Sequence, residues 1–268
     1  MKPLIGKKIL SIATNLPGPT ACQKLTQWGA DVTKIEPPVG DQLNHYFSDW
    51  YKELNAGQKI IQFDLKDENA RELFANMLSQ ADLLITSQLE KSLKAMQLDW
   101  PYLNKRHPQL SVLQIFSYED ENRPGHDLNF QLNNSLVDPP HMPRTLLADL
   151  MGAERACAIA LILLLSKTPP RCEKIYLNKV AKELSLPVRY GATVGDGPLS
   201  GNLANYRYYE CKDGWIALCA LEKRFLEILK RELSIKNLSQ SSLNDFFSSK
   251  TVASALEWGI KIGVPISA

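Results

Sequence analysis

One acidic residue, Asp149, stands at the start of the most hydrophobic stretch of the chain, because every residue from Ala156 to Leu165 is apolar. This run is rich in strong helix formers and predicts a helix buried on all sides. An aspartate at such a helix start is commonly an N-cap, whose carboxylate accepts unpaired backbone N–H groups. Alternatively, a partly desolvated carboxylate facing a cleft is available for chemistry. The residue types alone favour the N-cap.

Two further side chains have both a structural and a chemical interpretation. His126 follows a polar loop and opens a helix predicted from about Leu128 to Leu136, so it either caps that helix or titrates as an acid or base. Glu222 falls in the first turn of another predicted helix, where the helix dipole alone explains a carboxylate. The other histidines lie in polar or proline-rich surroundings and indicate no site.

The elements that would position these side chains follow an alternating pattern. Strand 8–13, a helix opened by Thr20 and ended by Gly29, and strand 31–35 form a strand–helix–strand unit. A second such unit follows, and strand 110–116 comes later. The pattern predicts an α/β fold with an open, mostly parallel, Rossmann-like sheet and flanking helices.

The second part of the chain has a different pattern. An Asp-Gly turn, Lys212-Asp213-Gly214, separates two strand-like runs and predicts a hairpin over residues 206–220. Glycines concentrated within residues 190–204 indicate a linker, and helices are predicted near the end, the last over Val252–Ile262. We therefore expect a large α/β domain over residues 1–170 and a smaller α+β domain over residues 171–268.

Composition excludes several classes of protein. The formal net charge is +2 and no basic stripe is present, so nucleic-acid binding is not expected. Five scattered cysteines without CxxC spacing indicate a reducing compartment and no metal site. No apolar run reaches the roughly 18–20 residues of a membrane span, and Lys7 and Lys8 interrupt any signal-peptide core. The expectation is a cytoplasmic protein that does not bind a membrane.

Phosphate-binding glycine loops are absent from the sequence, which has neither GxGxxG nor GxxxxGK[ST]. A nucleotide-like ligand would have to be held by side chains and loops at the carboxyl ends of strands, where open α/β sheets bind their ligands. The rigid loop 36–41, which contains two prolines and follows a predicted strand, is one such place.

Several stretches together resemble the family III CoA-transferases, the CaiB/BaiF group. The similar stretches, in chain order, are NLPGP at 15–19, GADVTKIEPPVGD at 29–41, FDLK at 63–66 and ADLMGA at 148–153. Three more, GHDLNF at 125–130, YECKDG at 209–214 and ALEKRF at 220–225, resemble the racemase branch of that family. The chain differs from the family pattern at two places that usually carry cations. The arginine expected after Asp41 is absent, because Gln42 follows it, and residues 55–59 hold a single lysine where the family has several basic residues.

The resemblance implies roles for particular residues. In a racemase, Asp149 and His126 would exchange the proton on the α-carbon of an acyl-CoA, and Glu222 would orient the histidine. In a transferase, Asp149 would instead be the nucleophile of an aspartyl-CoA thioester. The residues expected to hold CoA are Asn15, Leu16, Pro17, Leu65, Lys66, Ser87 and Gln88.

Three functions remain open at this point. The first is α-proton exchange of a 2-methylacyl-CoA-like thioester, which needs two acid/base groups on opposite faces of the carbon. The second is CoA transfer through Asp149, which needs only the nucleophile and a CoA site. The third is a non-catalytic relative that binds CoA or a protein partner. The resemblance also implies a homodimer, whose subunits can interlock as in the family. It further implies that CoA is part of the substrate and that no cofactor is permanently bound.

Overall fold

A parallel sheet of six strands organises the first part of the chain. The structure, a computed structural model, describes residues 2–166 and 168–268. The strands are β1 Lys8–Ser11, β2 Asp31–Glu36, β3 Lys59–Gln62, β4 Leu83–Thr86, β5 Ser111–Phe116 and β6 Cys172–Tyr176. Their spatial order is β3-β2-β1-β4-β5-β6 and every neighbouring pair is parallel. Successive strands are thus added to one side of β1 up to β3 and to its other side from β4 onward. The reversal of strand order between β1 and β4 is the switch point at which such sheets bind ligands.

Helices cover both faces of this sheet. They are α1 Pro17–Gln27, α2 Gln42–Tyr46, α3 Ser48–Leu54, α4 Glu68–Leu78, α5 Glu90–Ala95, α6 Trp100–Arg106, α7 Asp127–Asn133, α8 Leu147–Leu165 and α9 Leu177–Leu184. Successive strand residues alternate between two hydrophobic clusters: Ile9 packs with residues of α1 and α8, and Leu10 packs with residues of α4, α5 and α6. The predicted α/β class with a parallel sheet and flanking helices is thus confirmed.

The long apolar helix α8 is buried on one side only, so the expectation of burial on all sides is wrong. Its small residues face inward, whereas Met151, Ile162 and Leu165 are exposed. The physical reason is that α8 belongs to the helix layer on one face of the sheet, where it packs against α1 and α9 and leaves its other side to solvent. Across the described residues, no helix has both the length and the apolar character needed to cross a membrane.

The second unit of the chain runs from Leu186 to Ala268 and has its own core. Strands β7 Tyr206–Cys211 and β8 Gly214–Cys219 form the predicted antiparallel hairpin, and β9 Ile266–Ser267 pairs with β8. Its helices are α10 Leu186–Arg189, α11 Lys223–Glu232, α12 Gln240–Ser248 and α13 Val252–Ile262. Tyr209, Leu218 and Phe247 are buried between the sheet and the helices.

The division between the two units comes after Ser185 and not after residue 170. The residues that the sequence left unassigned, 172–184, form β6 and α9, and β6 pairs with β5 as the sixth strand of the sheet. This pairing, which joins residues about sixty positions apart, places them in the first unit.

The two edges of the parallel sheet differ in character. At one edge, β6 includes Glu173 and Lys174, and Arg171 just before it pairs with Glu173. At the other edge, β3 includes Lys59 followed by two isoleucines, of which Ile60 is 38% exposed. In the part of the chain that the structure describes, each edge strand is paired on one side only.

Candidate functional site

Asp149 lies inside the first turn of α8 and is not its N-cap, which corrects the structural interpretation of this residue. The helix begins at Leu147, and Leu146 occupies the cap position. The backbone N–H of Asp149 donates instead to Oδ1 of Asp127, at 3.0 Å. Because a carboxylate from α7 already satisfies this helix end, the Asp149 carboxylate is not needed as a cap.

Asp127 is the buried residue that joins α7 to α8. It is the first residue of α7 and is only 3% exposed. Its second oxygen, Oδ2, accepts a hydrogen bond from Nε2 of Gln131, which also donates to the backbone oxygen of Thr145 at 3.0 Å. These contacts fix the Asp127 carboxylate beside the first turn of α8.

The proximity of two carboxylates changes the acidity of Asp149. Burial, and then the negative charge of Asp127, raise the pKa of Asp149 to about 7. Desolvation and a like charge both disfavour the ionised form of an acid. Near neutral pH, Asp149 therefore exists in protonated and ionised forms, as an acid/base catalyst requires.

His126 occupies the N-cap position of α7, immediately before Asp127. Its side chain is exposed, and its backbone N–H donates to Oδ1 of Asn129 at 3.0 Å. The hydrogen bond from Asp149 to Asp127 brings the start of α7, with His126, against the start of α8. Two of the three sequence-predicted catalytic residues thus lie on neighbouring helix starts.

Glu222 belongs to the second unit and is the residue just before α11. It is exposed, and its carbonyl accepts a hydrogen bond from the backbone N–H of Phe225 at 2.9 Å. Its expected role as the residue that orients His126 stays a prediction.

A cleft of about 390 Å³ lies at the carboxyl ends of the strands, around the switch point. Four of the seven expected CoA-binding residues line it: Asn15, Leu65, Lys66 and Gln88. The other three, Leu16, Pro17 and Ser87, are not among its lining residues. Leu16 and Pro17 are buried at the start of α1, and Ser87 supports the wall, since its Oγ accepts a hydrogen bond from the Thr14 N–H at 3.2 Å.

Other residues of the cleft were not among the seven expected to hold CoA. They include Glu36, Gly40, Gln42 and Met96. The sequence did indicate loop 36–41 as a ligand-binding place, because it follows a strand in an α/β pattern. It gave no sign of which side chains of the loop would face the cleft.

A buried ionic cluster underlies this cleft. The Lys34 ammonium lies 2.6 Å from Oδ2 of Asp41 and 2.9 Å from Oε1 of Glu36, and the hydroxyl of Tyr51 donates to the same Oε1 at 2.7 Å. Oδ1 of Asp41 accepts hydrogen bonds from the backbone N–H groups of Leu43 and Asn15. Asp41 therefore connects the loop after β1 to the loop after β2, the two walls of the cleft.

A metal-binding arrangement is not present in the described residues, where no three or more His, Cys, Asp or Glu side chains converge. Asp149 and His126 can transfer protons, Asp149 can act as a nucleophile, and the cleft can bind an elongated ligand that carries polar groups.

Comparison with known proteins relates the chain to enzymes that act on CoA thioesters. It is 22% identical to the human alpha-methylacyl-CoA racemase over 269 aligned positions, which cover 91% of this chain and 69% of the racemase. It is 31% identical to the cinnamoyl-CoA:phenyllactate CoA-transferase of Clostridium sporogenes over 137 positions, 46% of this chain and 33% of that enzyme. The chain thus spans only about a third of this transferase.

Solved structures show the same fold. The Rv3272 protein of Mycobacterium tuberculosis matches all of this chain with a TM-score of 0.86 at 20% identity, over 83% of its own length. A CaiB/BaiF family protein from Brucella suis matches all of it with a TM-score of 0.81 at 22% identity, over 84% of its own length. The family profile "CoA-transferase family III" matches residues 4–266. The chain therefore belongs to CoA-transferase family III.

Proposed function

We propose that this protein exchanges the α-proton of a 2-methylacyl-CoA-like thioester, so that the configuration at that carbon is racemised or epimerised. The observation that carries the proposal is the position of Asp149. Its carboxyl group, with a pKa raised to about 7, stands at a helix start that adjoins the helix start bearing His126.

The reaction needs one group that removes the α-proton and a second group, on the opposite face of the α-carbon, that returns a proton. In one direction Asp149 takes the proton from the α-carbon. The electron pair of the broken C–H bond forms a C=C bond, and the carbonyl electrons move onto the thioester oxygen, which gives an enolate. His126 then returns a proton to the opposite face, and the C=O bond reforms. A pKa near neutrality lets Asp149 act as base in one direction and as acid in the other. Glu222 would orient the imidazole of His126.

The cleft at the strand ends is the proposed site of the CoA portion of the substrate. Asn15, Gln88 and the 65–66 segment supply polar and apolar contacts, and Lys66 supplies a cation for a phosphate group. CoA would enter and leave with the acyl group, so no permanently bound cofactor is required.

A second candidate is CoA transfer between carboxylic acids. The similarity of about half the chain to a CoA-transferase, at 31% identity, favours it. Here the Asp149 carboxylate attacks the thioester carbonyl and the C–S bond breaks, which gives an acyl-aspartyl anhydride and the CoA thiolate. The thiolate attacks the aspartyl carbonyl of this anhydride, which gives an aspartyl-CoA thioester and releases the donor carboxylate. An acceptor carboxylate then attacks the aspartyl-CoA thioester and displaces the thiolate, and the thiolate attacks the acceptor's carbonyl to give the new acyl-CoA and to free Asp149. A third possibility, binding without catalysis, remains as the outcome in which neither chemistry is found.

Proton NMR of a 2-methylacyl-CoA in heavy water tests these alternatives. For racemase chemistry we expect loss of the α-proton signal with the wild type, and no loss with Asp149→Asn or His126→Ala. Transferase chemistry would give a hydroxylamine-sensitive adduct on Asp149, absent from Asp149→Asn and retained in His126→Ala. Exchange at the wild-type rate in His126→Ala would rule out the racemase proposal. Absence of both signals would favour a non-catalytic relative.

We further propose that the protein works as a homodimer in the cytoplasm. Large apolar side chains of α8, among them Met151, Ile162 and Leu165, are exposed, and such residues are favourable in subunit contacts. The cysteines are free, which suits a reducing compartment. Sedimentation velocity should show a dimer that Ile162→Glu dissociates, whereas Leu73→Glu on α4, an exposed apolar control, leaves it intact. A monomeric wild type would refute the dimer.

A further inference from the structure

A second hollow, of about 340 Å³, lies between α4 and α6, and we call it the α4–α6 hollow. Its floor consists of buried apolar side chains: Phe74 and Leu78 of α4, Leu98, and Leu103 of α6. Sites for small molecules commonly have this size and combine an apolar floor with a few polar groups. The α4–α6 hollow can therefore accommodate a hydrocarbon group, which gains free energy when it leaves water for an apolar surface.

His107 is a buried polar side chain that lines this hollow. It follows the last residue of α6 and is only 6% exposed. Its backbone is paired, because its N–H donates to the Leu103 carbonyl and its carbonyl accepts from the Leu110 N–H. Among the residues that the structure describes, none forms a hydrogen bond with a ring nitrogen of His107, and neither nitrogen is fully enclosed. The ring is therefore open to the hollow, and its burial without a partner points to a ligand.

The charged side chains of the α4–α6 hollow favour an anion. Arg71 of α4 and Arg106 of α6 line it, Tyr102 adds a phenol hydroxyl, and Glu72 is the single carboxylate among its described lining residues. Arg106 has no ion pair in the described part of the chain. Arg71 lies 3.6 Å from Oε1 of Glu68, which is longer than a hydrogen bond. Two guanidinium groups that no carboxylate holds firmly attract a negatively charged ligand.

We infer that the α4–α6 hollow binds a small monocarboxylic acid, whose hydrocarbon group lies on the apolar floor and whose carboxylate accepts hydrogen bonds from Arg106 and His107. The planar fork of a guanidinium group matches the two oxygens of a carboxylate. Burial, and then the charge of Arg106, lower the pKa of His107, so its ring is uncharged near neutral pH and offers one N–H donor. This inference does not depend on the proposed function, because its ligand is a free acid and not a CoA thioester.

Carbon-13 NMR of labelled histidine makes the imidazole of His107 a reporter of the hollow. The chain has four histidines, and His107→Gln identifies the signal of His107 by its loss. Titration of the wild type with hexanoate at constant pH should shift this signal until it saturates, while the signals of the exposed His45 and His141 stay in place. Hexanamide has the same hydrocarbon group without the charge and should bind about tenfold or more weakly.

Helix α6 offers a matched pair of variants. Arg106→Gln and Lys105→Gln each remove one cation from its last turn, but of the two residues only Arg106 lines the hollow. Both side chains are exposed, so both variants should fold. We expect Arg106→Gln to weaken the binding of hexanoate by about threefold to tenfold, the effect of one hydrogen bond, and Lys105→Gln to leave it unchanged. Equal weakening would show a general attraction of charges and overturn the inference.

A competition experiment separates this hollow from the cleft at the strand ends, with which it shares the walls Leu65 and Met96. Saturating CoA should leave the hexanoate-dependent shift of His107 in place. Displacement of hexanoate by CoA would make the hollow a part of the CoA site and overturn the inference. So would a His107 signal that hexanoate does not shift, or that hexanamide shifts equally well. A wild type that binds hexanoate but no CoA would refute the proposed function and leave this inference intact.

Discussion

At the scale of single residues, the acidity of Asp149 depends on a neighbour that belongs to another helix. Asp127 holds the Asp149 backbone through one carboxylate oxygen and places a negative charge beside it. Burial is the larger cause of the raised pKa of Asp149, and the charge of Asp127 adds to it. Asp127 thus contributes to both the position and the acidity of Asp149, and a substitution can separate these two contributions.

Asp127→Asn should lower the pKa of Asp149. Asparagine keeps an oxygen that accepts the Asp149 N–H but removes the like charge, which favours ionisation. Gln131 can turn its amide so that its Oε1, which has no partner in the described structure, accepts from the new amide, at the loss of the hydrogen bond that its Nε2 donates to the Thr145 backbone oxygen. Carbon-13 NMR of labelled aspartate would follow the titration of Asp149 whether or not the enzyme is active. An unchanged pKa would show that burial alone sets the acidity.

Asp149→Asn should stabilise the fold at high pH. The pKa of Asp149 is about 7 when folded and about 3.9 in an unfolded chain. As pH rises through this interval, Asp149 ionises in the unfolded state before it ionises in the folded state. The contribution of Asp149 to the free energy of unfolding therefore falls until about pH 7 and stays constant above that pH. The expected gain of the variant is near zero at about pH 4 and on the order of 2–4 kcal/mol at about pH 8.

Urea unfolding at those two pH values measures the gain. Asp49→Asn is the control, because Asp49 is an exposed aspartate whose removal should give no comparable pH dependence. The same gain for Asp149→Asn at both pH values would contradict a raised pKa.

At this scale, the sequence singled out two residues whose catalytic roles stay a prediction. Asp149 and His126 were identified because an unusual context and a resemblance pointed to the same residues. Asp127 was not, because its importance depends on a contact that spacing does not encode: its carboxylate accepts the backbone N–H of a residue 22 positions away. The N-cap interpretation of Asp149 was wrong for the same reason, since a carboxylate from another helix accepts the backbone N–H of Asp149.

At the scale of elements, Gly18 allows α1 to approach the end of β1. A Cβ atom at this position would lie well within van der Waals contact of the Ala13 Cβ. Neither of these atoms is the end of a flexible side chain, so relief would require the backbone to move. The close approach also brings the start of α1 to the loop that carries Asn15.

Gly18→Ala should therefore destabilise the protein by about 1–3 kcal/mol, the usual effect of overpacking. The double variant Ala13→Gly, Gly18→Ala removes the opposing atom and should recover part of the loss. Urea unfolding of the wild type, the two single variants Gly18→Ala and Ala13→Gly, and the double variant gives the coupling between the two sites. Purely additive effects would show that the contact does not carry the destabilisation.

Elements with a strong periodic pattern were predicted close to their actual bounds. Strands β1, β2 and β5, predicted over residues 8–13, 31–35 and 110–116, are examples. The short helices α2 and α3 and the two-residue strand β9 were missed, because they form where the surrounding structure supports them and lack a pattern of their own. Helix α1 starts at Pro17 and not at Thr20, since proline suits the first helical position.

At the scale of the whole molecule, the chain consists of two units, each with its own core. The order of the parallel sheet could not be read from the sequence, because strand–helix–strand units allow several orders. The assignment of β6 also depended on a pairing between distant segments, which is why the expected division at residue 170 falls too early.

The second unit should fold when produced alone as residues 186–268. Its sheet, helices and buried aromatic residues are all contained within that segment. A domain of this size buries a modest area, so we expect a stability of only a few kcal/mol. Circular dichroism with thermal melting would show a cooperative transition. Replacing the fully buried Leu218 by alanine should abolish it, whereas the exposed Leu221→Ala should not.

The unequal edges of the parallel sheet bear on how the protein behaves in concentrated solution. An unpaired strand edge is a template for strands of other molecules, and charged side chains are a common defence. The β6 edge carries Arg171, Glu173 and Lys174, whereas β3 presents Ile60 beside a single lysine. Intermolecular β-aggregation should therefore begin at β3. Ile60→Lys should slow the growth of turbidity on storage. A charged residue introduced on β6 should slow it less, because that edge already carries charges.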